Sequence, residues 1–343
     1  MAMLTDLSWF NAKKFKGSDI YSRSPKRLGS ILDHMELRAI CHIDKAISTG
    51  DILDIRNDDA AFDGTETAQD EDNPEIYPHT TSSNNMAVYI QQRLEHRRDK
   101  WGDIWPFDLE VSPRGACTIT FNSGHAGAIL YTYFLLTLYA KYMPTATANH
   151  YRDLFEVFCY RLAKKLFPKS GGWIVKQSGA NANGATAYTG NKKQKLDAIS
   201  ADLFLGNRPP LMLPGTSGDG GIDLVAFHQL HDNRGCLPVV FMQCACSCDI
   251  DELESKTWDA CHTRLKSHLN LDVMHECFLF SPYDWCDLIQ PRRFAAPNND
   301  AVIFDRCRIL KSLLAFNVNP DTVWCEEIRN QVLEFMRTEE TFN

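Results

Sequence analysis

The chain lacks several features that would assign it directly to a common class. It has no excess of positive charge: 36 lysine and arginine residues face 44 acidic ones, giving a formal net charge of −8. That balance argues against a protein that coats nucleic acid over its whole surface. We find no Walker loop, no dinucleotide-binding glycine fingerprint and no internal repeat, so the sequence predicts neither of those cofactor folds nor a repeat array.

Targeting and membrane signals are also missing. Residues 1–10 contain neither a basic start nor an apolar run, which favours a cytoplasmic protein. The most apolar segment, Ala126 to Tyr142, is only about 17 residues long and is closed by Pro144, a length that is marginal for a bilayer and ordinary for a buried helix. We therefore expect a core helix and no membrane association.

Cysteine is abundant, with 12 residues, but its spacing matches no disulfide framework or zinc knuckle. Cys244, Cys246 and Cys248 alternate along one segment, with Cys261 and His262 further on, whereas structural zinc sites favour paired cysteines in turns. Cysteines without such a pattern are typically small side chains buried in the core. We predict reduced, mostly buried cysteines, and keep a zinc-stabilised interaction module as an alternative.

The first part of the chain predicts a mainly helical region over residues 1–145. Apolar residues recur every three or four positions from Pro25 to Thr49 and predict a helix, and Met86 to Asp99 predicts another. Residues 51–83 are acidic and lack apolar periodicity, as expected of a loop. Phe107–Val111 and Cys117–Phe121 alternate weakly, as strands do. We expect this region to dock a protein partner.

From residue 150 to 343 the pattern changes to a mixture of helices and strands, which predicts an α/β domain with C-terminal helices. The predicted helices and strands, in chain order, are a helix from about 149 to 166, strand Trp173 to Gln177, helix Lys193 to Phe204, two strands around residues 223–248, helix Asp251 to Leu269, strand Glu276 to Phe280, and helices Ala301 to Leu314 and Thr322 to Thr338.

The chain is organised around the stretch from Ser217 to Cys248. A glycine-rich turn leads Asp223 into a short apolar strand, a polar loop turns the chain, and a second strand returns through the sequence QCACSC. Side chains alternate along a strand, so Gln243, Ala245 and Ser247 share one face. We expect that face to be the one directed toward Asp223.

This hairpin resembles the core of the PD-(D/E)xK nuclease superfamily, in the restriction-endonuclease-like branch whose motifs read GxD followed by QxK. Asp223 matches the acid and Gln243 the first position of the second motif, while Ala245 stands where the lysine is expected. The resemblance covers about residues 150–315. It implies a mixed sheet flanked by helices and a metal-dependent DNA endonuclease using Mg²⁺ or Mn²⁺, as in effector nucleases of bacterial restriction and anti-phage defence.

The resemblance also implies roles for individual residues. Asp223 would bind the metal ion directly, Gln243 would add a weaker oxygen ligand, and the carbonyl of Cys244 would be the third ligand. Glu156, on the preceding helix, corresponds to the helical acid of the family. Asp219 is a rival for Asp223, but it precedes two glycines and fits a turn cap.

Three explanations remain open for the missing lysine. Lys256-Thr257-Trp258 resembles a Lys-x-Trp element of some relatives, so Lys256 could replace the strand lysine, although it also fits an ordinary solvated helix face. Alternatively, Ala245 is an introduced substitution that silences the enzyme. In the third explanation the chain is a catalytically inactive nuclease fold that serves as a DNA-binding or scaffold subunit.

Charge is separated along the sequence. Residues 51–75 hold ten acids against Arg56 alone, whereas residues 152–195 hold nine bases against two acids. The basic block predicts contacts with a DNA backbone through Lys164, Lys165, Lys176, Lys192, Lys193 and Lys195, unless these are simply solvated helix faces. The acidic total charge suggests that a protein partner recruits the chain to DNA.

Overall fold

The computed structural model describes most of the predicted elements. The described residues are 28–54, 83–113, 116–178, 187–205, 221–232, 234–247, 275–284, 301–316 and 326–337, with 252–253, 255–256, 261, 265–266, 269 and 271. They form two compact units, one from residues up to 144 together with those from 326 onward, the other from residues 145–284 and 301–316. Most of the acidic loop lies outside the described residues, as do Asp219, Cys248, Thr257, Trp258 and His262.

In the described part of the chain, the first unit combines helices with a small antiparallel sheet. The helices are α1 (Leu28–Cys41), α2 (Ser83–Trp101), α3 (Ala128–Leu138) and α7 (Glu326–Met336), and the strands β1 (Ala46–Ser48), β2 (Phe107–Val111) and β3 (Cys117–Phe121) pair in the order β1-β3-β2. Every residue of α3 is buried, as the apolar run predicted. Among the described helices, none has the length and apolar character that crossing a membrane requires.

A cluster of charged side chains is buried inside this unit. Arg97 forms ion pairs of 3.0 Å with Asp33 and 2.8 Å with Glu36. Glu36 also accepts hydrogen bonds from Trp105 Nε1 and the hydroxyl of Tyr131. Because buried charges need such partners, this network explains how acidic and basic residues occupy the core.

The second unit is built on a five-stranded mixed sheet. Its strands are β4 (Trp173–Gln177), β5 (Leu224–His228), β6 (Val239–Cys244), β7 (Glu276–Phe280) and β8 (Ala301–Phe304), paired in that order. Its helices are α4 (Thr145–Leu166), α5 (Lys192–Asp202) and α6 (Arg306–Ala315). Strands β4, β5 and β6 are antiparallel, while β7 and β8 run parallel to β6. The mixed α/β class with a helical first region is thus confirmed.

The two faces of this sheet are covered by different helices. On one face, Val225, Phe227 and Phe241 pack in an apolar cluster with Leu196 and Ile199 of α5. On the other face, Phe167, just after α4, contacts Trp173 and Phe278 at ring-centroid distances of 4.8 and 5.8 Å. Burial on both faces explains why β5 and β6 read as nearly continuous apolar runs.

Two predicted element boundaries were wrong. The first helix ends at Cys41 rather than continuing to Thr49, because Ala46–Ser48 pairs with β3. Residues 301–304 form strand β8 and not the start of a helix. Their β-branched, apolar side chains suit a strand that pairs with β7, and Asp305 then caps α6 by accepting a hydrogen bond from the amide of Arg308.

The last helix, α7, belongs to the first unit and not to the α/β domain in which the sequence pattern had placed it. Val332, Phe335 and Met336 are buried, and Lys45 Nζ donates a hydrogen bond to the carbonyl of Met336. Periodicity identifies the apolar face of a helix, but it does not show which core receives that face.

Candidate functional site

Asp223 lies at the start of β5, at the point where β5 and β6 separate. Its amide donates to the carbonyl of Met242 and its carbonyl accepts from the amide of Ser178. Its side-chain Oδ2 accepts a 2.6 Å hydrogen bond from the backbone amide of Cys244. The carboxylate is therefore bonded to the peptide unit that joins Gln243 to Cys244, and the residue is only 6% exposed.

The pairing at Asp223 follows the pattern of a β-bulge. Leu224 stands opposite Met242 in the register, and the amide of Asp223 also donates to the carbonyl of Met242. Two successive residues thus oppose a single one, which shifts the alternation of side chains. Ile222, on the other side of the bulge, joins the apolar cluster with α5. Strict alternation, on which the sequence prediction relied, does not hold at this position.

Three thiols lie close enough to the Asp223 carboxylate to be affected by its charge: those of Cys159 on α4, Cys244 at the end of β6, and Cys246. Burial raises the pKa of Cys159 and raises those of Cys244 and Cys246 well above the ordinary value of 9.0, and the negative charges of Asp223 and Glu156 add to the effect. The thiols of Cys159 and Cys244 are hydrogen-bonded to each other. These groups are protonated near neutral pH, which disfavours them as nucleophiles or metal thiolates.

Glu156 reaches the same place from α4. Arg152, Glu156 and Cys159 are spaced by four and three residues, so they lie along one side of the helix. Glu156 is buried and acts on all three thiols, while the positive charge of Arg152 lowers the pKa of Cys246. The two predicted acids, Asp223 and Glu156, are therefore neighbours around the end of β6.

Gln243 occupies the opposite face from Cys244. It is 4% exposed and lies two residues from Phe241 of the α5-side cluster, so the two side chains share a face. Its Oε1 has no hydrogen-bond partner among the described residues. A buried carbonyl oxygen without a partner is costly. Gln243 therefore faces α5, whereas Glu156 reaches the end of β6 from α4, and the structure does not place the Gln243 amide beside the two carboxylates as the sequence predicted. Carboxylate oxygens are ligands that Mg²⁺ or Mn²⁺ prefers, so Asp223 and Glu156 are the residues that would hold such an ion.

The residues that bear on the missing lysine lie beyond the end of β6. Ala245 is 3% exposed, and its amide donates to the carbonyl of Phe280 of β7. Ser247 Oγ donates a 2.7 Å hydrogen bond to Glu252, which holds the helical residues that follow against the end of the strand. Lys256 lies in those helical residues and is partly exposed.

The six lysines predicted to contact DNA are in different environments. Lys176 pairs with Asp202 at 2.6 Å and lies over the ring of Tyr188, and Lys195 donates to the carbonyl of Ser178. Lys193 pairs with Asp197 on the helix surface. Lys164 and Lys165 are exposed on α4 and Lys192 is partly exposed on α5. Because α4 and α5 cover opposite faces of the sheet, the basic block does not form one continuous stripe.

Within the described part of the chain, no group of three or more histidine, cysteine, aspartate or glutamate side chains is arranged to hold a metal ion of any kind, and Cys248 and His262 of the zinc alternative lie outside that part. Sequence reasoning also missed Arg152 and Cys159 as neighbours of the site. Their helical spacing from Glu156 was a signal that pointed to them.

No protein-family model, no curated protein and no solved structure matches this chain.

Proposed function

We propose that the chain is a metal-dependent DNA endonuclease of the restriction-endonuclease-like type. The observation that carries this proposal is the Asp223 carboxylate, held at the separation of β5 and β6 by the Cys244 amide, with Glu156 close by on α4. The order of the elements adds support: a helix bearing an acid precedes the two strands of the motif, and a further strand of a mixed sheet follows them, as the family resemblance implies.

Asp223 and Glu156 are the residues that would hold Mg²⁺ or Mn²⁺, with the carbonyl of Cys244 as a further oxygen. Such an ion, when bound, lowers the pKa of a water molecule and neutralises charge on a phosphodiester. The chain itself contributes the low-dielectric surroundings of Asp223, in which electrostatic interactions are stronger than in water. The exposed lysines of α4 and α5 are available to contact the DNA backbone.

The substrate class and setting follow the same proposal. A chain with a net charge of −8 would not bind DNA tightly by charge alone, so we infer that a protein partner recruits it, as for an effector nuclease of a bacterial defence system. The helical first unit is the part that would dock this partner.

The test is cleavage of supercoiled plasmid and single-stranded DNA in Mg²⁺ or Mn²⁺, comparing the parent with Asp223→Asn and Glu156→Gln. Asp232→Asn, an exposed loop acid, serves as the matched control. We expect chelator-sensitive cleavage that falls at least about 100-fold in Asp223→Asn, in line with the loss of a catalytic electrostatic group. Equal cleavage by the parent and Asp223→Asn would refute the site.

A second candidate is an inactive nuclease fold that binds DNA or scaffolds a complex. Ala245 favours it, because its small side chain is buried in the sheet and supplies no positive charge. In that case the parent would bind DNA with the salt dependence of phosphate contacts but would not cleave it in either metal ion.

A further inference from the structure

We propose that Cys159 of α4 and Cys244 of β6 form a disulfide bond when the protein meets a small disulfide oxidant such as oxidised glutathione. The pair is a site of covalent modification, and it does not depend on the proposed nuclease activity. All nine described cysteines are free in the structure, so the bond is a response of the reduced protein to oxidation.

The two thiols are in direct contact although they belong to different elements. The thiol groups of Cys159 and Cys244 are hydrogen-bonded to each other, which brings the two sulfur atoms together between α4 and β6. A disulfide requires two cysteines whose backbones lie close and whose side chains point toward each other. Because each sulfur is bonded directly to Cβ, contact between the sulfur atoms satisfies both requirements.

An oxidant reaches this pair through the strand. Cys244 is partly exposed, whereas Cys159 is buried. We therefore assign the first step to Cys244, whose thiolate attacks one sulfur of oxidised glutathione and releases one molecule of reduced glutathione. The Cys159 thiolate then attacks the Cys244 sulfur and releases the second molecule. The protein loses two protons and two electrons in total, and both pass to the glutathione.

Cys246 is the competing thiol. Burial raises the pKa of Cys246 well above its ordinary value and the negative charge of Cys159 adds to the effect, so Cys246 is also near Cys159. The hydrogen bond of the Cys159 thiol, however, is made with Cys244. The direct contact assigns the bond to Cys244, and a bond to Cys246 is the alternative that the experiment must distinguish.

The bond joins the two elements that carry the proposed site. Cys159 lies three residues after Glu156 on α4, and the backbone amide of Cys244 donates to the carboxylate of Asp223. The bond closes a long loop, from residue 159 to residue 244, and a cross-link across a long loop strongly restricts the unfolded chain. We therefore expect the oxidised protein to be more stable than the reduced protein.

The test is disulfide mapping by mass spectrometry, before and after the whole chain is incubated with oxidised glutathione at mildly alkaline pH. We expect a link between Cys159 and Cys244 that accumulates on the order of hours, because a buried thiol forms the reactive thiolate poorly. The link should still form in Cys246→Ala and should be absent in Cys244→Ala. Cys117→Ala, which removes a buried thiol hydrogen-bonded to Thr49, is the matched control and should form the link as the parent does.

Thermal unfolding gives a second readout. The melting temperature of the oxidised parent should exceed that of the reduced parent by at least about 4 °C, the gain expected of a cross-link that fits the folded chain. Cys159→Ala should show no such gain. Circular dichroism of the reduced variants identifies any that fails to fold, and the map of the parent itself requires no variant.

The outcomes separate this proposal from the proposed function. A map without a link, or one in which Cys159 is joined to Cys246, overturns the assignment. An oxidised parent that carries the link but melts at the same or a lower temperature overturns the claim that the folded structure accommodates it. None of these measurements uses DNA, so a parent that cleaves no DNA refutes the nuclease and leaves the disulfide test unaffected.

Discussion

Asp223 and Cys244 are joined by a hydrogen bond in which the backbone amide of Cys244 donates to Oδ2 of Asp223 at 2.6 Å. This contact ties the acid at the start of β5 to the end of β6. A charged acceptor makes it one of the stronger kinds of hydrogen bond. The site and part of the stability of the hairpin therefore depend on the same carboxylate.

Asp223→Ala should accordingly lower the stability of the folded chain and also remove the proposed activity. It leaves the buried amide of Cys244 without its acceptor, at a cost of about 1–3 kcal/mol. Urea unfolding followed by circular dichroism measures the change. An unchanged free energy of unfolding would show that the hydrogen bond is replaced or unimportant.

Gln243→Met should keep or raise the stability of the folded chain, as measured by urea unfolding. It removes a buried amide oxygen that has no partner among the described residues, so we expect the free energy of unfolding to stay equal or to rise by up to about 1 kcal/mol. Mn²⁺ affinity should not change, because Gln243 faces α5 and not Glu156. A clearly less stable Gln243→Met protein would mean that the amide has structural partners.

The thiols near Asp223 should react slowly. Burial and nearby negative charges raise the pKa values of Cys159, Cys244 and Cys246, and the thiolate is the reactive form. Iodoacetamide labelling followed by mass spectrometry at pH 7.5 should modify exposed Cys236 well before these three. Faster labelling of Cys244 or Cys246 than of Cys236 would contradict the assigned pKa shifts.

Alkali should destabilise the first unit through Cys117, because burial raises the pKa of this thiol from the ordinary value of 9.0 to about 11. The unfolded chain loses the proton at the lower pH, so the contribution is fully present below pH 9.0 and is lost as pH rises toward about 11. Cys117→Ala should therefore flatten the fall in melting temperature over that range. The same slope in parent and variant would argue against the shift.

Arg97→Met should be among the most destabilising single substitutions in the first unit. It leaves Asp33 and Glu36 buried without their shared cation, which costs about 3–5 kcal/mol for a buried pair. The triple change that also replaces the two acids, Asp33→Asn and Glu36→Gln, should recover part of that loss. Chemical denaturation of the three proteins tests this, and a loss below about 1 kcal/mol in Arg97→Met would contradict the network.

Much of the α/β unit could be predicted from sequence. Strand bounds at Trp173–Gln177 and Glu276–Phe280 agree with the structure, because short apolar runs flanked by turn residues are strong local signals. The helix that bears Glu156 was equally clear. Strand β8 was not, since four apolar residues followed by a helix read as one helical segment when the pairing partner is unknown.

The candidate site was predictable only in part. Spacing in the sequence identified Asp223 and Glu156, and the structure makes them neighbours of the same thiols. The bulge at Asp223 could not be predicted, because it depends on how β5 pairs with β6. The burial of Lys195 could not be predicted either, since a lysine in a basic run gives no local sign that its helix packs it against Ser178, the residue that follows β4.

Titration of the parent with Mn²⁺, followed by electron paramagnetic resonance, tests the central claim most directly. We expect Mn²⁺ binding to weaken at least about tenfold in Asp223→Asn and several-fold in Glu156→Gln, because each change removes a charged oxygen ligand. The Mn²⁺ affinity of Asp232→Asn should equal that of the parent. Equal Mn²⁺ affinity in the parent and Asp223→Asn would contradict it.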